Sequence, residues 1–283
     1  YRAPGSPMAA FAVESVVNEL CDKLGLDRLE VRLKNASKQG TKASFGPTWD
    51  RIGLVETLEA AQIHPHYAAP LKAGQGRGVS CGFWFNHGGE TSVTLALSED
   101  GTAQLSVGTP DIGGSRASMA QMAAEELGIP YENIRTTIAD TATLGYNEVS
   151  HGSRVTYASG LATIKAARAA VKKLKGRAAA KWGIDEDAVF WEDGYAKPAG
   201  PNAGQFDPLP IEKLTAKMGS TGGPIVGHFE ATPEGAGVSF ATHIVDAEVD
   251  KETGHTKVVR YTVIQDAGKA INPAYVEGQF QGG

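Results

Sequence analysis

The stretch Thr91–Leu127, TSVTLALSEDGTAQLSVGTPDIGGSRASMAQMAAEEL, decides the fold class. Two apolar runs, Thr91 to Leu97 and Ala103 to Val107, flank the turn Glu99-Asp100-Gly101, which is the signature of a β-hairpin. A glycine-bearing loop, Asp111-Ile112-Gly113-Gly114-Ser115-Arg116, then leads into a helix from Ala117 to Leu127, closed by Gly128-Ile129-Pro130. The order hairpin, loop, helix returns over roughly Ala241–Gln281, where Asp250-Lys251-Glu252-Thr253-Gly254 is the turn and Asp266-Ala267-Gly268 the loop. The expected fold is therefore α+β, with mixed sheets flanked by helices and a weak internal duplication.

The flanking sequence fills in the remaining elements. Met8, Phe11, Ala12, Val16, Leu20 and Leu24 keep a 3.6-residue period, which predicts a first helix with Ser6 as its cap, Pro7 in its first turn and Gly25 as its stop. Asp27-Arg28-Leu29-Glu30 reads as the capped start of a second helix ending near Asn35, and Asp50 to Gln62 as a third. His64 to Gly78 reads as a linker. Ile134 to Ile138 is an expected strand, Tyr157 to Trp182 a long helix, Ala188 to Ala196 a small hairpin, Ile211 to Met218 a short helix and Ile225 to Ala231 a strand. The expected divisions are a helical segment 1–75, a first α/β subdomain 76–200, and the start of a second, truncated one over 201–283.

Composition narrows the function. The chain has 283 residues, a net charge of −5, 41% hydrophobic and 21% charged residues, so it can bury a core without covalent staples. The mild acidity excludes a general nucleic-acid binder. With only Cys21 and Cys81, a disulfide scaffold, a CxxC redox pair and an all-cysteine metal or iron–sulfur site within this chain are excluded. No apolar run reaches the ~18 residues of a membrane-spanning helix. The first and last residues read as the ends of a piece of a longer polypeptide.

Gly113 and Gly114 before a helix would let a ligand approach the backbone, with Ser115 as cap and hydroxyl donor and Arg116 as forked cationic donor. A second Ser-Arg pair, Ser153-Arg154, follows His151-Gly152 ahead of the long helix. Neither loop is a P-loop or a G-x-G-x-x-G fingerprint. His64 and His66 read as surface residues of the linker, and His87, His228, His243 and His255 as isolated. The basic run from Lys165 to Lys181 reads as a solvated helix face.

Five segments in register resemble the molybdopterin-binding domain of xanthine oxidase/aldehyde oxidase family molybdenum hydroxylases. They are Tyr1-Arg2-Ala3-Pro4-Gly5; Asp27 to Asn35; the loop and helix Val107 to Leu127 with Gln121 to Gly128; Asp140-Thr141 with Gly152-Ser153-Arg154; and Asp266-Ala267-Gly268, Ile271-Asn272-Pro273 and Gly278-Gln279-Phe280-Gln281-Gly282-Gly283. The resemblance implies a molybdenum-pyranopterin cofactor, in its cytosine dinucleotide form, gripped by Arg2, Ile112, Gly113, Gly114, Ser115, Arg116, Ser153, Arg154 and Gln279. It puts Pro4 in the substrate pocket and no protein side chain on the metal.

It further implies a cytoplasmic oxidoreductase acting on an aldehyde or N-heteroaromatic, with 2Fe-2S clusters and FAD on other domains or subunits. Two departures stand out. Gly114 replaces a common glutamine, and the family's catalytic glutamate lies beyond Gly283, so no catalytic residue is expected in this chain. Two other readings stay open: a non-catalytic structural or assembly module of the same fold without cofactor, and a nucleotide- or phosphate-binding enzyme resting on the glycine loops alone.

Overall fold

A computed structural model describes residues 2–138 and 140–283, with the side chain of Ala236 also outside the description. Tyr1, which opens the Y-R-A-P-G motif, lies outside the described residues. In chain order the helices are α1 (Ser6–Leu24), α2 (Arg28–Asn35), α3 (Leu54–Ile63), α4 (Pro65–Ala68), α5 (Ser115–Leu127), α6 (Gly160–Trp182), α7 (Ile211–Thr215) and α8 (Pro273–Gly282). The strands are β1 (Gln75–Asn86), β2 (Thr91–Leu97), β3 (Ala103–Val107), β4 (Ile134–Ile138), β5 (Val189–Glu192), β6 (Tyr195–Pro198), β7 (Leu209–Pro210), β8 (Val226–Ala231), β9 (Ala236–Val249) and β10 (Thr256–Gln265). The α+β class is observed, and both copies of hairpin, loop and helix form.

Contacts divide the chain into two compact units: residues 1–85, 237–270 and 280–283, and residues 86–236 and 271–279. The boundaries expected near 75 and 200 do not coincide with these units. The reason is strand pairing remote in sequence: β1 joins β9 and β10 in one three-stranded sheet, so the second hairpin belongs with the N-terminal helices.

In the first unit, Leu29, Leu58, Ala61, Val79, Phe240 and Ile244 form the core between α2, α3 and the β1-β9-β10 sheet. Asp27 caps α2 as expected, its Oδ1 accepting the Leu29 and Glu30 amides at 2.9 Å each. Helix α1 forms over the expected residues and stops at Gly25. Its apolar stripe is exposed, with Met8, Phe11, Val16, Leu20 and Leu24 all more than half open, and only Cys21 is buried.

The opposite stripe of α1 docks through polar contacts. Glu14 Oε2 receives the Arg32 guanidinium at 2.7 Å and the Cys81 amide at 2.7 Å, and Asn18 donates to the Val79 carbonyl at 2.9 Å. These partners need hydrogen bonds more than the apolar residues need cover, so they fix the helix rotation. Gly5, at φ 86°, stands at the α1 N-cap instead of Ser6.

His66, expected at the surface, is fully buried. Its Nδ1 lies 2.8 Å from Thr262 Oγ1, and its Nε2 lies 3.0 Å from Asp246 Oδ2 without the alignment of a hydrogen bond. Arg77 holds the same carboxylate in a two-pronged bond of 2.7 and 2.9 Å.

In the second unit, β4-β3-β2-β8 is a mixed sheet, with β4 parallel to β3 and the other pairs antiparallel. Helices α5 and α6 bury small residues in its core, including Ala120, Ala123, Ala162, Ala166, Ala167 and Ala170 beside Met119, Leu127 and Leu174. Small side chains bring these helices close to neighbouring backbone. A five-residue π turn, Val155–Ser159, precedes α6, so the regular helix starts at Gly160 and not at Tyr157. Lys165, Arg168, Lys172, Lys173 and Lys181 of α6 are exposed, as a solvated face requires, but Lys175 is half-buried and Arg177 turns inward, donating to the Leu214 carbonyl at 3.1 Å and to the Gly223 carbonyl. Sheet β5-β6-β7 completes the unit.

Burial lowers the pKa of His66 against the opposing pull of Asp246, and the Arg77 bond, with His66 adding, holds Asp246 below the usual carboxylate range. The unfolded chain therefore takes up a proton on its histidine at a pH where the fold still refuses one. Stability from this cluster is full above about pH 6.5 and declines as pH falls through that value, with a second decline below about pH 4 as Asp246 is titrated. Urea unfolding across pH 4–8, compared between wild type and His66→Gln, should show the first decline only in wild type; parallel curves would refute this assignment.

Candidate functional site

The glycine loop leaves β3 and enters α5. Thr109 is buried at its base, where its hydroxyl approaches Ser159 Oγ at 3.5 Å. The Ser115 hydroxyl turns back into the loop, accepting the Ile112 amide at 3.2 Å and lying 3.4 Å from the Pro110 carbonyl. Gly114, and not Ser115, is the N-cap, and Ser115 is buried. Its part is thus to shape the loop, a correction to the expected cap and hydroxyl donor. Arg116 is more than half exposed, 3.6 Å from Asp111 Oδ2, and its amide donates to Asp111 Oδ1 at 3.0 Å. Ile112 is exposed at the tip.

Gly113 and Gly114 have φ of +64° and +82°. A Cβ on Gly113 would stand 3.2 Å from Gln279 Nε2, and one on Gly114 only 2.9 Å from the ring of Tyr275. Tyr275 and Gln279, one turn apart on α8, therefore lie against the loop. The Tyr275 ring occupies the space that a side chain at Gly114 would enter. Tyr275 carried no signal in the sequence, because its partner is remote along the chain.

The second loop, Asp140 to Arg154, is built around one side chain. Arg154 is fully buried, and burial pushes its pKa down while Glu148 and Glu90 oppose. Its Nε donates to the Gly88 carbonyl at 2.7 Å, Nη1 to Glu148 at 2.9 Å, and Nη2 to Gly89 and Glu90 at 3.1 and 2.6 Å. The fork expected at the cofactor is thus committed to backbone carbonyls. Ser153 beside it is exposed at φ +59°, directly after Gly152 at +55°. A non-glycine residue held in that region is a mark of functional sites.

The two loops share anchors within the second unit. Thr91 donates to Asn147 Oδ1 at 3.0 Å and lies 3.3 Å from Ser159 Oγ, and Asn147 Oδ1 also accepts the Ser92 amide. The structure so groups Ile112 to Arg116, Ser153, Arg154 and Gln279 in one unit. Arg2 and Pro4 lie in the other, both exposed, on a turn where Ala3 has φ +44° and the Ser6 amide bonds the Ala3 carbonyl. In that first unit Ser6, Phe45, Phe83, Trp84 and Phe85 line a hollow of about 230 Å³. Phe45 and Phe83 are stacked at 6.2 Å, Trp49 packs edge-on against both, and Phe240 packs edge-on against Trp49.

A glycine pair at the N-terminus of a 13-residue helix offers amides that have no acceptor inside the helix, and a positive dipole end. No Cβ covers these amides, and an exposed serine hydroxyl stands on the companion loop of the same unit. This donor set fits a large, anionic, many-oxygen cofactor. The chain belongs to the molybdopterin cofactor-binding domain family of molybdenum hydroxylases, whose profiles match residues 56–283 and 1–36.

Curated relatives include the aldehyde oxidoreductase molybdenum-binding subunit PaoC of Escherichia coli K12, 28% identical over 99% of this chain and 38% of its own. The carbon monoxide dehydrogenase large chain of Hydrogenophaga pseudoflava is 28% identical over 97% of this chain and 38% of its own. Among solved structures, CO dehydrogenase from Oligotropha carboxidovorans superposes with a TM-score of 0.86 at 24% identity, over 98% of this chain and 38% of that one. Quinoline 2-oxidoreductase from Pseudomonas putida 86 does so with 0.85 at 20%, over 96% and 38%. These likenesses show the fold. The chain spans less than two fifths of the length of the curated relatives named here.

Arg154→Lys keeps the charge but cannot reach four carbonyls. Stranding two or more of them should cost about 3 kcal/mol. Urea unfolding measures the loss, and hydrogen exchange should localise it to Gly88–Glu90 and the 148–154 loop. Unchanged exchange there would refute the clamp.

Proposed function

We propose that this chain is the cofactor-binding part of the large subunit of a molybdenum hydroxylase that oxidises an aldehyde or N-heteroaromatic substrate with oxygen drawn from water. The observation that carries the substrate class is the aromatic hollow of the first unit, which carries one hydroxyl, that of Ser6, among four aromatic side chains. Such a surface favours a planar, uncharged molecule, and offers little to a small diatomic gas. The adjoining turn carries Arg2 and Pro4, which we assign to the cofactor's metal end and to the substrate pocket.

The cofactor, when bound, supplies the two-electron redox centre. The chain's own residues bind and orient it. Amides of Gly113, Gly114 and Ser115 face its anionic groups, Gln279 and Ser153 donate side-chain hydrogen bonds, and Ile112 covers the loop tip. Arg116 supplies positive charge at the rim, and Arg154 acts by holding Ser153 in place. We assign no catalytic acid or base to this chain. The dinucleotide form of the cofactor, with cytosine as its base, belongs to this reading, as do 2Fe-2S and FAD centres on other domains or subunits.

We also infer a cytoplasmic setting, supported by two unpaired cysteines, Cys21 and Cys81. Among the described residues, no helix is long and apolar enough to cross a membrane.

The test uses the full-length protein with its partner subunits. Wild type should contain stoichiometric molybdenum and pterin, and Gly113→Val should lose most of both while keeping its circular dichroism spectrum, because the added side chain enters the cradle. Full occupancy in Gly113→Val would overturn the cradle. With an artificial electron acceptor, an aromatic aldehyde or a quinoline should be oxidised, and Phe83→Ala should raise KM more than it lowers kcat. Turnover confined to carbon monoxide would overturn the substrate class.

A further inference from the structure

His87, Glu148 and His151 come together at the surface of the second unit, although the sequence reads His87 as isolated. One ligand atom from each, two imidazole nitrogens and a carboxylate oxygen, all lie within 4.8 Å of one another. His151 Nε2 is 2.9 Å from Glu148 Oε1, and His87 Nε2 is 3.9 Å from the same oxygen. The two imidazole rings stand 4.7 Å apart, tilted by 42°.

The backbone beneath these side chains is tied at every ligand. The His87 amide donates to the Gly152 carbonyl at 2.8 Å, the Glu148 amide to Glu90 at 3.0 Å, and the Arg154 amide to His151 at 3.1 Å. The Arg154 side chain adds its bond to the Glu148 carbonyl. Gly152 is the residue that permits the approach of the two rings, since a Cβ there would stand 2.7 Å from the Cβ of His87. The second carboxylate oxygen, Glu148 Oε2, stands 3.9 Å from Arg154 Nε, which leaves Oε1 for the histidines.

We propose that His87, Glu148 and His151 form a binding site for a divalent transition-metal ion of the zinc type, separate from the pterin cradle. Ligand atoms about 2.1 Å from a tetrahedral ion lie about 3.4 Å from one another, so the observed spacings need only side-chain rotation to close. Two imidazoles and one carboxylate suit zinc, nickel or copper and discriminate against magnesium and calcium, which take oxygen donors. Both imidazoles are nearly half exposed, so the ion has an open path and water completes its coordination. Bound there, the ion cross-links the segment after β1 to the loop that carries Ser153, independently of whether that serine serves the cofactor.

The experiment uses the full-length protein, stripped with EDTA and titrated with Zn2+ against a chromophoric chelator, with zinc per chain measured separately from molybdenum. Wild type should bind one zinc ion at this site. His87→Ala and His151→Ala should each weaken binding by at least about tenfold, as the loss of a direct ligand does. His64→Ala, in the other unit, should leave it unchanged.

Circular dichroism guards against misfolded variants, and the wild-type protein supplies a second readout. Added Zn2+ should shift the ring-proton signals of two histidines in wild type and of one fewer in each variant. Equal zinc affinity in wild type and both His→Ala variants, or no stoichiometric zinc in wild type, would overturn the proposal. Displacement by millimolar Mg2+ would overturn the assignment to a nitrogen-preferring ion.

Discussion

The site side of the second unit depends on one buried guanidinium. Arg154 sits at zero exposure, where a cation is costly unless its donors are met. Four carbonyl oxygens from two stretches remote in sequence meet them, and carboxylates nearby offset the charge. The dependence runs both ways: without the arginine those carbonyls would be buried without partners. Because the arginine lies next to Ser153 in the chain, this pairing also fixes where that serine, held at positive φ, presents its hydroxyl.

Around this clamp, closeness is obtained by leaving side chains out. The Gly113-Gly114 pair brings helix-end amides to the surface, and Tyr275 and Gln279 of α8 close over the space that larger residues would fill. At Gly114 the loop has no side chain and faces an aromatic ring. Alanines on α5 and α6 do the same work in the core, letting the helices that carry both loops sit near the strands. A binding surface made of backbone groups changes little with side-chain rotation. That is an advantage for holding a large cofactor in one orientation.

Local signals in the sequence located most elements. Apolar runs around Glu99-Asp100-Gly101 and the turn residues Asp250 to Gly254 marked the two hairpins, and the Asp27 cap marked α2. The glycine loop was legible because two adjacent glycines directly before a helix leave backbone open to close approach. Remote pairing left no such trace. The joining of β1 to β9 and β10 links residues far apart, and it redraws the expected units 1–75, 76–200 and 201–283.

Helix α1 shows a subtler gap: its period was right, but polar partners on Arg32, Val79 and Cys81 determine which stripe turns inward. His66 and the His87–Glu148–His151 group likewise depend on neighbours supplied by tertiary structure. Arg154 was expected at the cofactor, and its residue type alone could not tell a ligand contact from a carbonyl clamp.

The π turn at Val155–Ser159 has a consequence for how this region tolerates insertions and deletions. A π turn holds one residue more per hydrogen-bonded ring than the regular helix of α6 that follows it. Ser153 and Arg154 lie immediately upstream. Loss of a single residue here is taken up by rewinding the turn as regular α-helix, and the loop keeps its aim. A second deletion meets no such slack: each residue advances an α-helix by about 100°, so it would point Ser153 elsewhere and pull Arg154 off its carbonyls.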